Sequence, residues 1–283
     1  MQSKIYIQKE DGSKEEFQTS KLKTSLIKSG ADEHVAESVV KSIVHQISEH
    51  QIIDTTASDI YKKAFHELKE RARPAALRYS LRRSLMEFGP TGFPFEVYVT
   101  ELFKAKGFEA LTGQVVFGSC VPHEVDVVAW NQNKLIMAEV KYHNEPSGKT
   151  DLKVALYVKA RYEDLASNVY DYGKMPRKLA EGWLITNTKF TETAIKYGEC
   201  NKLNMMSWDY PLVGNLRDMI EETKLHPVTA LTTITPAEKQ LLITHKMVLC
   251  RSVYNSSQQL KDLGFSESKI VSMLEEIGSI MNS

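Results

Sequence analysis

The chain has 283 residues, 42% apolar and 25% charged, the composition of a water-soluble protein with room for two or three domains at roughly 100–200 residues each. Lysine plus arginine equals aspartate plus glutamate at 36 each, which excludes a general basic surplus and confines any phosphate-binding surface to a local patch. No apolar run reaches the roughly 18 residues of a membrane span, Met1-Gln2-Ser3-Lys4 lacks the layout of a secretion signal, and Cys120, Cys200 and Cys250 have no metal-ligand spacing, so a cytoplasmic protein without structural zinc is expected, its cysteines small buried residues.

In chain order, Lys4 to Phe17 reads as a hairpin, with Ile5 and Ile7 alternating with polar residues, Asp11-Gly12 as the turn and Glu15 to Phe17 returning. Apolar residues then recur at helical spacing, from Leu22, Leu26 and Ile27 through Val39, Ile43 and Ile47 to Ile60, Ala64 and Leu68, as far as about Phe88. Gly89-Pro90-Thr91-Gly92 marks a boundary. Beyond it a helix from Pro94 to Lys106 is closed by Gly107. Two strands rich in valine and isoleucine, Glu124 to Trp130 and Leu135 to Tyr142, flank the turn Asn131 to Lys134, and being apolar on both faces they predict a sheet covered on both sides. A helix at Val154 to Tyr170, a strand at Trp183 to Thr186, a helix at Glu192 to Glu199 and a strand at Leu203 to Trp208 complete a β-α-β unit. From Thr235 the tail reads as three short helices, opened by a capping box of Thr235 and Glu238 with Pro236 at the first helical position, the second ended by Gly264. The domains expected are therefore 1–89, 93–225 and 232–283.

Chemistry concentrates on the strand pair. Glu139 and Lys141, two apart on a strand, share a face, and a two- or four-residue turn places Asp126 opposite Glu139. Like charges opposed across a sheet destabilise it unless a cation joins them, and hard oxygen ligands suit Mg2+ or Mn2+, with the Val140 carbonyl able to complete the protein's share. Lys141 can then orient a metal-bound water and offset charge on a phosphorane-like transition state. Glu96, at the edge of the apolar stripe formed with Val99 and Phe103, is the fourth member. An acid, an apolar run and a Glu-x-Lys also describe a solvated strand edge with a surface ion pair. Lys149, Lys153, Lys159 and Arg161, just downstream, read equally as phosphate contacts or as a solvated helix face. His123 and His143 bracket the cluster without an assigned role.

The run from Phe95-Glu96 through Phe103, Gly107-Phe108, His123-Glu124-Val125-Asp126 and Ala138-Glu139-Val140-Lys141 resembles the PD-(D/E)xK nuclease superfamily, nearest its Mrr-like branch. Gly182 to Asn187, Phe190-Thr191 and Ala194 are similar to the strand and helix that follow the active site there, so the resemblance covers about Phe93 to Tyr210. It implies a restriction-endonuclease-like mixed sheet flanked by helices, with Asp126 and Glu139 as metal ligands, Lys141 as the catalytic lysine and Glu96 assisting metal binding. Many Mrr-like proteins carry glutamine where Glu139 stands, which moves this chain toward the general superfamily pattern and resolvase-type relatives.

Lys9-Glu10-Asp11-Gly12, Glu15, Phe17, Lys21-Leu22 and the helical continuation to Arg78-Tyr79 and Arg82-Arg83 resemble the ATP-cone, the nucleotide-sensing module of ribonucleotide reductases and their repressor, over about Ser3 to Phe88. In that reading Lys9 and Lys21 straddle one end of the hairpin and meet triphosphate oxygens, while Glu15 or Thr55 bonds sugar or base. Glu10 stands where the family usually has arginine. From Lys62 to Arg83 eight basic residues face two acidic ones, a surplus suited to nucleotide phosphates or to DNA.

The expectation is an α/β protein: a hairpin-plus-helices ATP-cone, a nuclease-like sheet and a short helical tail. Its expected activity is metal-dependent hydrolysis of phosphodiester bonds in DNA, with Mg2+ or Mn2+ as cofactor, ATP or dATP as regulatory ligand, DNA as partner, no membrane, and a homodimer or higher homo-oligomer as the assembly. The rival is a non-catalytic, nucleotide-responsive DNA-binding regulator with a degenerate nuclease domain. Nucleotide hydrolysis lacks support, since no GxxxxGK[ST] loop occurs.

Overall fold

A computed structural model describes residues 6–8, 13–49 and 55–281, and by internal packing the chain divides into Met1–Leu81 with Gly278–Ser283, and Arg82–Ile277. In the first unit β1 (Tyr6–Gln8) pairs antiparallel with β2 (Lys14–Glu16), Ile7 opposite Glu15. The expected Asp11-Gly12 turn, with Lys9 and Glu10, lies outside the described residues. On the other side of β1 the Gln8 amide donates to the Thr55 carbonyl at 3.0 Å, and Gln8 bridges Thr56 in parallel.

Four helices follow: α1 (Thr19–Lys28), α2 (Glu33–Glu49), α3 (Ala57–Arg71) and α4 (Arg73–Met86), whose last turn belongs to the second unit. Leu22, Leu26, Val39, Ile43, Ile47, Ile60, Ala64 and Leu68 are all buried, so the three-and-four spacing read in the sequence is one continuous stripe facing the core. Fully burying such a side chain contributes about 1.5–3 kcal/mol. Thr56 caps α3 through a reciprocal box with Asp59. Pro74, which has no amide to offer the Glu70 carbonyl, stops α3 from running into α4.

The second unit is built on a mixed sheet. Helix α5 (Phe93–Ala105) precedes β3 (Glu109–Phe117), β4 (Pro122–Trp130) and β5 (Leu135–Lys141), a meander in which both neighbouring pairs are antiparallel. The short β6 (Lys149–Thr150) leads to the crossover helix α6 (Leu152–Ala166), β7 (Val169–Asp171) and the long β8 (Pro176–Thr186), which lies parallel to β5. β9 (Lys189–Phe190), α7 (Glu192–Cys200) and β10 (Asn204–Met206) form a second crossover, giving the strand order β10-β8-β5-β4-β3 with β7 attached to β8. The mixed sheet and the β-α-β crossovers are those the sequence predicts. The edge strand β3 is an addition, since Gln114 and Gly113 interrupt its apolar alternation.

The expected helix to Tyr170 ends at Ala166 instead. Asn168 turns to donate to the Phe117 carbonyl at 2.9 Å, and Val169 to Asp171 pair with β8, where a β-branched and an aromatic residue are better placed.

Adjacent residues of β8 show that both faces are covered. Trp183 meets Phe103 of α5 edge-on at 6.4 Å between ring centroids, whereas Leu184 joins Ala155, Val158, Tyr162 and Leu165 of α6 in the opposite core. Tyr162 packs so closely over Gly182 that a Cβ there would lie 2.3 Å from its ring, which fixes glycine at that position.

The tail begins with α8 (Leu216–Thr223) and a 3-10 turn at Val228–Ala230, then α9 (Pro236–Thr244), α10 (Cys250–Tyr254), α11 (Ser257–Asp262) and α12 (Glu267–Met281). The Thr235–Glu238 capping box is present, but the region after Thr235 holds four helices, not three, because Asn255-Ser256 separates α10 from α11. Gly264 therefore closes the third, α11. Buried Glu276 of α12 accepts bonds from the Thr232 amide and hydroxyl (2.8 and 2.7 Å) and from the Thr233 amide (3.0 Å). Of the cysteines only Cys250 is buried; Cys120, in the β3–β4 turn, and Cys200, at the end of α7, are exposed, against expectation, because both occupy element ends rather than packed faces. Among the described residues no helix is long and apolar enough to cross a membrane.

Candidate active site

The β4–β5 turn is the four-residue Asn131 to Lys134, and the register runs from Trp130 opposite Leu135 to Val127 opposite Ala138. Continued by one pair it would set Asp126 against Glu139, but the ladder stops short. Asp126 Oδ2 instead accepts the Val140 amide at 2.7 Å, so a side chain supplies the bond that the departing backbone of β4 does not. The same place is irregular on the other flank. Gly113, which the β3–β4 register would put opposite Asp126, is absent from that ladder and has φ +62°, open to glycine at little cost. Val125 and Val128, three apart, both enter the core under α6, so the alternation of β4 slips by one residue across Asp126.

Glu139 lies on the α6 side, 3% exposed, beside Leu184 in the parallel ladder. Both of its oxygens are engaged. Lys141 Nζ is 2.6 Å from Oε1, and Arg161 of α6 bonds Oε2 through Nη1. Arg161 Nη1 also donates to the Glu124 carbonyl at 2.9 Å, its Nη2 meets the Tyr157 hydroxyl, and its guanidinium lies 4.6 Å from the Tyr157 ring centroid. Its Nε is buried without a partner.

Two acids in this cluster are strongly perturbed. Burial, then the charge of Glu139, raises Asp126 to about 6, against the opposing Val140 amide, Lys141 and Arg161. Glu96, in the first turn of α5, is pushed up to about 7 by burial and by the charges of Asp126, Glu124 and Glu139, with Lys141 opposing. Glu96, Asp126, Glu139 and Lys141 thus act on one another electrostatically. Among the described residues no three His, Cys, Asp or Glu side chains converge on one point, so any ion here would have at most two close carboxylates and would need backbone oxygen or water to complete its shell.

The downstream basic residues separate. Lys153, Tyr157 and Arg161 follow one another at four-residue intervals along one flank of α6, a line that leads to Glu139. Lys159 is turned away and lies 3.5 Å from Glu163, and exposed Lys149 sits on β6 opposite Lys189. Arg161, expected at a phosphate, has a side chain only 10% exposed and is committed to Glu139. Its position beside buried Val158 and Tyr162 was the available signal. His123 bonds Asp164 at 2.7 Å and is the main reason that carboxyl is held at about 2.

Sequence reading also missed Asn187. Fully buried after β8, it accepts the His143 amide at 2.9 Å and donates to the His143 carbonyl at 2.8 Å, tying the end of β8 to the chain two residues beyond Lys141.

In the N-terminal unit, Glu15 on β2 and Thr55 stand on opposite sides of β1, and Lys21 is exposed in the first turn of α1. Thr55 is 1% exposed and its hydroxyl is buried without a partner. Arg71 is paired with Glu67 at 2.8 Å and Arg78 Nε donates to the Ser29 carbonyl at 2.8 Å, so part of the basic surplus there has structural partners.

Residues 5–86 match the ATP cone domain family, and residues 226–281 match AF1548-like, C-terminal. An uncharacterized protein of Archaeoglobus fulgidus is 32% identical over 184 residues, 65% of this chain and 99% of that protein. The crystal structure of the protein of unknown function AF1548 is similar at 32% identity and a TM-score of 0.55, covering 68% of this chain and all of that one. The MspJI restriction endonuclease in complex with a 27-mer oligonucleotide is 14% identical with a TM-score of 0.31, over 58% of this chain and 39% of that one, a likeness too faint to speak to chemistry.

Proposed function

The chain belongs to the AF1548-like family, and from its acid, lysine and arginine cluster we propose that it is a metal-dependent DNA endonuclease whose activity is biased by ATP or dATP at the N-terminal ATP-cone. The single observation that carries the hydrolytic reading is the juxtaposition at the ends of β4 and β5, where Asp126 accepts the Val140 amide at 2.7 Å and the residues on either side of Val140, Glu139 and Lys141, pair at 2.6 Å. Four acids, Glu96, Glu124, Asp126 and Glu139, share the region with two cations, Lys141 and Arg161. A carboxylate surplus of this kind suits a hard divalent ion.

In this reading Asp126, Glu139 and the Val140 carbonyl would hold Mg2+ or Mn2+, with Glu96 assisting. Such an ion, when bound, supplies a Lewis acid and a water acidic enough to attack phosphorus. Lys141, its side chain 37% exposed, would orient the attacking water and offset the charge that develops on the phosphate oxygens. Lys153, with Lys149 nearby, holds the backbone phosphates of DNA beside the cut, while Lys159 contributes less because Glu163 already neutralises it.

At the ATP-cone, Lys21 and Lys9 serve the triphosphate and either Glu15 or Thr55, which stand on opposite sides of β1, the sugar or base, with the unpartnered Thr55 hydroxyl favouring Thr55. Nucleotide binding shifts the balance between states of a homodimer or larger homo-oligomer and so biases cleavage.

A second reading has its own support. Glu139 is fully compensated by Lys141 and Arg161 without any ion, as expected of a DNA-binding regulator whose nuclease fold no longer cuts. Incubation with supercoiled plasmid and branched DNA in Mg2+ or Mn2+, with and without ATP, separates the two. Nicking by wild type that is lost in Lys141→Ala supports the endonuclease; no nicking, or equal nicking by the variant, supports the regulator.

A further inference from the structure

Arg161 gives Glu139 a counter-ion that comes from neither the acidic hairpin nor the lysine two residues along, but from the crossover helix. We infer that Arg161 is a resident cation that competes with a divalent metal ion for Glu139, so that loading the site requires the guanidinium to leave the carboxylate. The inference rests on Asp126 and Glu139 being the metal ligands.

Three observations carry it. Both oxygens of Glu139 are already occupied, Oε1 by Lys141 at 2.6 Å and Oε2 by Arg161, so an ion reaching this carboxylate meets two positive charges at close range. The seat of Arg161 does not use all its donors: Nη1 and Nη2 are bonded, whereas Nε is buried without a partner, so that edge of the guanidinium is not held in place. An exit exists as well. Tyr157, the other partner of the guanidinium, is 58% exposed one turn earlier on α6, and Lys153 lies one turn before it on the same flank, so the side of Arg161 away from Glu139 leads to the surface.

The alternative role predicts the opposite sign. An arginine that merely orients a metal ligand strengthens metal binding, and removing it weakens the site. A competing arginine weakens binding, and removing it tightens the site.

The test is Mn2+ binding to the full chain, without DNA or nucleotide, read as the loss of the free-ion electron paramagnetic resonance signal. The proteins are wild type, Arg161→Gln, Asp126→Asn and the double variant. Arg161→Gln is expected to bind Mn2+ about tenfold more tightly than wild type, the scale of one charge-assisted hydrogen bond released. Asp126→Asn abolishes binding in both backgrounds. Equal or weaker binding by Arg161→Gln, with Asp126 still required, overturns the competition while leaving the metal site standing. Binding that ignores Asp126→Asn, or no binding by any of the proteins, overturns the metal site itself and the competition with it. Circular dichroism confirms that each variant is folded. Should Arg161→Gln fail to fold, Tyr157→Phe loosens the same arginine from outside the acid cluster and is expected to tighten Mn2+ about two- to threefold, on the scale of one neutral hydrogen bond; no change would overturn the competition.

Discussion

Asp126 and Val140 are joined by a hydrogen bond of 2.7 Å from the amide of one to the carboxylate of the other, at the point where the backbone ladder between their strands has ended. The acid therefore has two tasks, as a strand connector and as a member of the charged cluster. An amide in its place performs the first and fails the second, so Asp126→Asn is a clean probe.

Its expected effect on stability depends on pH. The folded state holds Asp126 at about 6, above its ordinary value, so folding favours the protonated form. Its stabilising share is complete below the unfolded value near 4 and is lost as pH rises through 6. Asp126→Asn should match wild type in thermal melts near pH 4 and exceed it by about 1–2 kcal/mol at pH 8. A constant offset across that range would show that the carboxyl is not perturbed.

Lys141→Ala should lower the melting temperature only slightly, because Lys141 itself is partly exposed and Arg161 still pairs with buried Glu139. Cleavage of plasmid DNA should fall by about two to three orders of magnitude, the loss usual for one electrostatic contact to a transition state.

Asn187→Leu removes both bonds to the His143 backbone and leaves that part-buried amide and carbonyl without the partner Asn187 supplied. A loss of about 2–4 kcal/mol is expected, seen as a drop in denaturant midpoint. Cleavage by the folded fraction should fall too, since the clamp sits two residues beyond Lys141; unaltered specific activity would limit Asn187 to stability.

Two glycines should respond unequally. A methyl at Gly113 meets nothing within 4 Å, so Gly113→Ala costs only the left-handed backbone, about 1 kcal/mol. A methyl at Gly182 runs into the Tyr162 ring and should cost about 1–3 kcal/mol or more. Equal losses in chemical denaturation would contradict the packing described.

Thr55→Val replaces a buried hydroxyl that has no partner with a methyl of like size. Without nucleotide the change should be neutral or stabilising by up to about 1 kcal/mol, while ATP affinity by calorimetry should weaken several-fold. Unchanged affinity would remove Thr55 from the nucleotide site.

Much of this was legible in the sequence for identifiable reasons. The helices of the N-terminal unit follow from their apolar spacing, and the β4–β5 register follows from a turn whose length fixes which residues face each other. Neighbours two apart on a strand, Glu139 and Lys141, could be paired by counting. Where reading failed, the deciding contact lay outside the local pattern. The slip at Asp126 depends on a glycine in the adjacent strand, β7 forms because β8 offers it an edge, and the Glu139 partner Arg161 lies 22 residues downstream across a crossover. Asn187, a polar residue following an apolar strand, carries no sequence mark of the clamp it makes.

The origin of Arg161 on the crossover helix also has a consequence for assembly. The acids Asp126 and Glu139 come from a tight meander whose pairing needs only short loop closure, whereas the arginine arrives when β8 docks in parallel and brings α6 down on the sheet. A nascent or partly frayed protein in which the meander has formed and α6 has not would leave Glu139 with Lys141 but without Arg161. On the proposed reading of Asp126 and Glu139 as metal ligands, such a species should gather divalent cations more avidly than the finished protein.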